Sequence, residues 1–171
     1  SAPLIVSLSE TNTAPLTISP TWQLKAYLQG AYNPTNGLMN TRLQDENLLT
    51  NTQAFDEMPW NYTGNESIAM VVNDVENIVD WVMVEARSSN VIYELVARKA
   101  AVLLQDGSIV DADNLTGGLT FSELNMNENY YVVVRSRNHL DVVSAVPVAF
   151  PNETVFDFTK VENISGGENQ V

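Results

Sequence analysis

The chain holds one histidine, His139, and no cysteine, so its scope for catalysis is narrow from the outset. Metal sites built from two or three imidazoles, thiolate nucleophiles and thiolate-bound metals are all excluded. A copper site on a terminal histidine is not expected either, with Ser at residue 1. A Ser-His-Asp relay would have to use His139, and no Gly-x-Ser-x-Gly elbow presents a serine to it. Within Arg137-Asn138-His139 the imidazole is expected to order a turn by hydrogen bonding. The 21 acidic side chains offer many carboxylate pairs for glycoside hydrolysis, but no spacing singles one pair out. The expectation is a chain that is not an enzyme.

Binding chemistry is better represented. Carbohydrate recognition needs aromatic faces for the apolar side of a sugar ring, with carboxylates, amides or guanidinium groups to read its hydroxyls. Trp60, Tyr62 and Tyr32 stand in loop-like sequence, and Glu66 follows close behind the first two. Arg135 and Arg137 share a strand face by the two-residue period and could read hydroxyls or carboxylates. Each has a plainer reading. Trp60 and Tyr62 can plug one end of a sandwich, Glu66 can be a solvated loop acid, and the arginines can pair with surplus acids. Trp81 lies mid-strand and is expected in the core, while Trp22 opens a strand and fits either role.

Asp106, Asp111 and Asp113, with Asn114, bring oxygens together around a turn and could supply calcium ligands. They lack the twelve-residue loop with its closing bidentate Glu, and turn-forming roles are preferred. Asp74 and Glu76 form a weaker acidic group. No cofactor is expected, and calcium alone merits a test.

Net charge is −13, from 21 acidic against 8 basic residues, and the lysines Lys25, Lys99 and Lys160 form no run. Nucleic acid and anionic membranes are therefore poor partners, since binding to either rests on clustered Lys and Arg. Polysaccharide or neighbouring domains of a larger protein fit better, and the chain is expected to be monomeric. No 18-residue apolar run, signal peptide or lipidation motif is present, so a mature soluble segment is expected. Sequons at Asn61, Asn65, Asn114, Asn152 and Asn163 could suggest a glycosylated eukaryotic protein, but chance accounts for them about as well in a chain so rich in Asn, Ser and Thr.

The elements that must position these residues are strands. Residues 1–21, with Pro3, Pro15 and Pro20 and the short run Leu4-Ile5-Val6, read as a linker or edge strand. From Trp22 to Tyr32 apolar and polar residues alternate with a strand's period, ending in the turn Asn33-Pro34-Thr35-Asn36-Gly37. Residues 38–67 are irregular, either a functional loop or short strands that cannot be placed. Ile78–Val84 and Val91–Leu104 read as strands, and Asp106-Gly107 as a two-residue hairpin turn needing positive φ. Leu124, Tyr130 and the run Tyr131-Val132-Val133-Val134 match the tyrosine corner of immunoglobulin and fibronectin-type sandwiches. Leu140–Phe150, broken by Pro147, is expected as the last edge strand, with Val155–Phe158 appended. The fold expected is an all-β, immunoglobulin/fibronectin-III-like sandwich over residues 22–160, followed by a linker over 161–171.

Several segments together resemble a known kind of module. They are Leu24-Lys25-Ala26-Tyr27-Leu28-Gln29-Gly30-Ala31-Tyr32, Pro59-Trp60-Asn61-Tyr62-Thr63-Gly64-Asn65-Glu66, Val79-Asp80-Trp81-Val82-Met83-Val84-Glu85, Asp106-Gly107-Ser108-Ile109-Val110-Asp111 and Tyr130 through Leu140. The chain resembles, over residues 22–170, a non-catalytic module of large secreted or cell-surface proteins of Bacteroidota. Such modules stand beside other sandwich domains, calcium-binding repeats or a type IX sorting signal. The resemblance implies export and a multidomain parent. With the loop aromatics it leads to two expectations: a carbohydrate-binding accessory module, or a structural and adhesive spacer without a small-molecule ligand.

Overall fold

The computed structural model describes residues 19–68, 77–89 and 94–167. The expected strand at Leu4-Ile5-Val6, the Asp74 and Glu76 pair, the start of the strand expected from Val91 and the tail from 168 lie outside the described residues.

The chain is all-β and sandwich-like, organised about two long antiparallel strands, β5 (Ile78–Arg87) and β6 (Leu95–Leu104). Every residue of β5 is buried. This explains its nearly unbroken apolar sequence, because a strand covered on both faces loses the alternation of a half-exposed one. β9 (Glu128–Arg135) pairs with the other edge of β5, and β7 (Ser108–Val110) with β6. β2 (Leu24–Lys25) and β12 (Phe156–Asp157) extend the sheet beyond β7, the last pairing being parallel. β10 (Val142–Val143) and β11 (Val148–Phe150) both lie on β9, so the single edge strand expected over Leu140–Phe150 is two pieces.

The strand expected from Trp22 to Tyr32 is also divided. β1 (Thr21–Trp22) pairs with β8 (Leu119–Thr120) in a separate ribbon, whereas β2 joins the main sheet. The switch falls at Gln23. Asn152 brackets its backbone there, accepting from Gln23 N at 2.6 Å and donating to Gln23 O at 3.0 Å. After Lys25 the chain turns, with Ala31 N and Tyr32 N both donating to Leu28 O. A hairpin of β3 (Tyr32–Asn33) and β4 (Leu38–Met39) follows, then a four-residue helix, α1 (Arg42–Asp45).

Two cores flank the sheet. On one face Val82, Val84, Ala101, Leu103, Val132 and Val134 pack with Trp22, whose ring meets Phe121, Tyr130 and Phe150 edge-on at 5.4, 6.3 and 5.6 Å. The Trp22 indole N–H donates to Ala149 O at 2.8 Å, so the indole nitrogen is not left stranded in that core. On the other face Trp81, Met83, Ala100 and Val102 pack beneath Leu49, Phe55, Tyr62 and Ile68. The irregular stretch of 38–67 is thus, from Leu43 onward, a lid on the second face, whereas Met39 at its start packs in the first core.

A β-bulge decides which side chains reach which core. Ile78 pairs with Leu104 but Asp80 with Leu103, so two residues of β5 oppose one of β6. Ile78 faces the second core, Val79 the first, and beyond the bulge the even positions Val82, Val84 and Ala86 face the first.

The turn between β6 and β7 comprises Gln105-Asp106-Gly107, one residue longer than the expected dipeptide. Gly107 takes φ 91°, and a Cβ there would fall 2.9 Å from Ala26 O and 2.7 Å from the Tyr27 ring. The tyrosine corner is present as geometry: Tyr130 OH accepts from Asn125 N at 3.1 Å and donates to Glu128 at 2.9 Å, with Leu124 buried. The body also runs past residue 160. Ile164 is 5% exposed in the first core and bridges to Ser144, so the start of the expected linker is structured.

Candidate functional site

The lid is built from residues that bond one another. Gln53 N donates to Glu66 O at 3.0 Å, Tyr62 N to Phe55 O at 2.8 Å, and the Gln53 amide to Gly64 O at 3.0 Å. Trp60 stands edge-on to Phe55, with ring centroids 5.3 Å apart. Arg98 on β6 fastens the loop from below, donating to Trp60 O at 3.0 Å and Asn61 O at 3.3 Å while lying 5.3 Å over the Tyr62 ring. Tyr62 is 9% exposed and Trp60 half-buried, so this pair caps the second core and the Tyr62 face is not open for stacking.

Glu66 is no freely solvated acid. It accepts the Tyr62 hydroxyl on Oε1, and its Oε2 is buried without a partner. Burial, followed by the hydrogen bond and charge of Glu66, pushes the Tyr62 phenol well above its ordinary range. Gly64 permits this arrangement, because a Cβ there would collide with both the Tyr62 hydroxyl and the Glu66 carboxylate.

The two arginines serve separate carboxylates. Arg135 on β9 donates to Glu85 at 2.8 Å and also holds Asp141. Glu85 accepts Arg87 Nε at 3.0 Å, which makes a compact network on β5 and β9. Burial raises the Asp141 carboxyl above its usual range; Arg135 opposes the shift, and the nearby Glu85 charge reinforces it. Arg137, just beyond β9, donates to Asp80 at 2.7 Å. Asp80 directly follows the unpaired bulge residue Val79 of β5 and is 3% exposed. Pairing with surplus acids, the plainer expectation for both arginines, is what the geometry shows.

Tyr32 stands apart on β3, 38% exposed and stacked on Tyr27 at 4.7 Å with 26° between the planes. The structure therefore joins Trp60, Tyr62 and Glu66 in one lid, gives each arginine its own carboxylate, and leaves Tyr32 as the open aromatic face.

Two of the three acids considered for calcium, Asp106 and Asp111, are diverted to other work. Asp106 accepts Ser108 N at 2.9 Å within its turn, and Asn114 accepts Thr116 N at 3.0 Å. Asp111 holds the Lys99 ammonium at 2.5 Å and accepts Thr120 N at 3.0 Å, so a cation already sits on its carboxylate. Among the described residues no group of three or more His, Cys, Asp or Glu side chains is placed to hold a metal. Sequon residues Asn152 and Asn163 use their amides inside the fold, Asn163 donating to Asp157 O at 2.8 Å. His139 places Nδ1 3.4 Å from Ser136 Oγ, in keeping with a turn-ordering role.

Asp80, Arg98 and Lys99 hold positions in the structure that the sequence expectations do not include. A signal for Asp80 was present, since a carboxylate inside Ile78-Val79-Asp80-Trp81-Val82 must find a partner or an occupant. Asp80 also lines a cavity of about 290 Å³ with Leu28, Leu43, Val79, Asn138 and His139, where the β2–β3 turn, α1, the start of β5 and the loop after β9 meet. The chain matches no protein-family model, and comparison with curated proteins and with solved structures finds no match.

Proposed function

We propose that the chain is a non-catalytic accessory module of a secreted or cell-surface protein, serving chiefly as a rigid spacer that holds neighbouring domains apart. The observation that carries this reading is the occupation of the expected ligand groups. Trp60 and Tyr62 are fastened over the second core by Arg98, and Arg135 and Arg137 are matched to Glu85 and Asp80. A body buried on both faces of β5 suits a load-bearing or distance-setting part. Kinship with immunoglobulin and fibronectin-III modules belongs to the same proposal and is supported by the Tyr130 corner. The charge of −13 supports a module that avoids nucleic acid and anionic membranes and remains monomeric.

The test is Trp60→Ala, read by thermal unfolding and by calorimetry against a panel of neutral plant and algal glycans, with and without calcium. On the spacer reading the variant loses about 3–5 kcal/mol of stability at most, less for a half-buried ring, and changes no binding. Glycan binding that disappears with Trp60, at unchanged stability, would overturn it.

A carbohydrate-binding reading retains one specific observation in its favour: Tyr32 is exposed and braced flat against Tyr27, as a sugar platform would be.

A further inference from the structure

We infer that the cavity between Asp80 and His139 is a binding site for a single neutral pyranose ring. This inference rests on the carbohydrate-binding reading rather than on the spacer reading.

The walls supply both halves of sugar recognition. Leu28, Leu43 and Val79 form an aliphatic side on which the C–H face of a ring can lie, while Asn40, Arg42, Asp80, Asn138 and His139 supply the polar side. Asp80 is the decisive group. Its side chain is 4% exposed, and Oδ1 already takes Trp81 N at 2.8 Å and Arg137 Nη2 at 2.7 Å. The carboxylate is thereby fixed in direction before any ligand arrives, which lowers the ordering cost of binding. A ligand hydroxyl donated to this carboxylate would form a charge-assisted bond, the kind that reads a sugar most strongly.

Charge selects a neutral ligand. The Arg137 guanidinium balances Asp80, and Arg42, which also lines the cavity, is paired with Glu46, so neither an ammonium nor an anionic ligand finds an unmatched charge there. His139 Nδ1 faces Ser136 Oγ, which leaves Nε2 for the cavity. That nitrogen lies 3.5 Å from where a Cβ on Gly30 would be, so the glycine keeps this wall thin. The volume of about 290 Å³ is at the low end for small-molecule sites, enough for one ring and not for a chain buried along its length.

The experiment is a titration of the whole isotope-labelled chain with methyl glycosides of common neutral hexoses and pentoses, followed by amide chemical shifts. Binding of at least one glycoside is expected with Kd on the order of 1 mM, with shifts centred on Leu28, Leu43, Asp80 and His139. His139→Ala and Asn138→Ala, at exposed positions, should each weaken binding about tenfold, equivalent to about 1.4 kcal/mol. Asp80→Asn, which keeps an acceptor for Arg137, should weaken it further. If that variant fails to fold, the two exposed substitutions still decide. Shifts centred on Tyr32, or affinity unchanged in both exposed variants, would overturn this site and leave the carbohydrate reading standing. No response from any glycoside up to about 50 mM would overturn both.

Discussion

Removing the charge of Glu85 should cost far more than breaking an ordinary surface ion pair. The side chains of Glu85 and Arg87 are 9% and 6% exposed, so water does little to screen either. Arg135, at 26%, reaches the same carboxylate at 2.8 Å. Glu85→Gln keeps the shape and one acceptor oxygen but leaves the Arg87 charge buried without its counter-ion. Breaking one side of such a pair costs about 3–5 kcal/mol, whereas exposed pairs are worth about 0–1 kcal/mol. For a chain of this length each kcal/mol moves Tm by about 2–4 °C, so a fall of about 6–20 °C is expected. Equilibrium urea unfolding gives the free energy, and a thermal melt checks it. The double replacement Glu85→Leu with Arg87→Met removes both charges and should return to within about 1 kcal/mol of the native chain, because apolar packing substitutes for a desolvated pair. A loss below about 1 kcal/mol for Glu85→Gln would refute the reasoning, since the network would then behave as a solvated one.

Gly107→Ala should destabilise by about 1–3 kcal/mol in the same urea assay, because φ is 91° and the added carbon would press on Ala26 O and the Tyr27 ring; a neutral result would show that the turn relaxes freely. In an alkaline absorbance titration, two of the six tyrosines, Tyr62 and Tyr130, should ionise late, since burial raises both above the ordinary 10.0. Their contribution to stability is complete below that ordinary value and is lost as pH rises through the raised folded values, so alkaline unfolding should accompany their ionisation. Tyr62→Phe should remove one of the late protons and part of that pH dependence.

Much of the strand framework was legible because strand formation is largely local. The apolar run from Ile78, the branched run from Tyr131 and the Asp106-Gly107 signal each carry their own geometry within a few residues. Tyr130 was legible for the same reason, as its hydroxyl reaches only five residues back, to Asn125. The extension of β5 through Glu85 and Arg87 was not, since those charges are tolerable in a buried strand only beside Arg135, fifty positions away in the chain.

The candidate site was legible in its residue types and largely illegible in its use of them. An aromatic loop with an acid behind it reads the same whether its rings face water or a core, and Arg98, thirty-eight residues from Trp60, decided the matter. Asp111 could have been a calcium ligand until Lys99 was brought to it by the pairing of β6 and β7. The split of the first strand at Gln23 depended on Asn152, a residue near the far end of the body. By itself the sequence determined that the chain is acidic, free of thiols, poor in histidine and made of strands, because composition and two-residue periodicity are properties of neighbouring residues. Only the tertiary structure decided which face of each strand is covered, which carboxylate each guanidinium meets and which aromatic stays open. Those outcomes depend on contacts between residues far apart in the chain, and local periodicity carries no record of them.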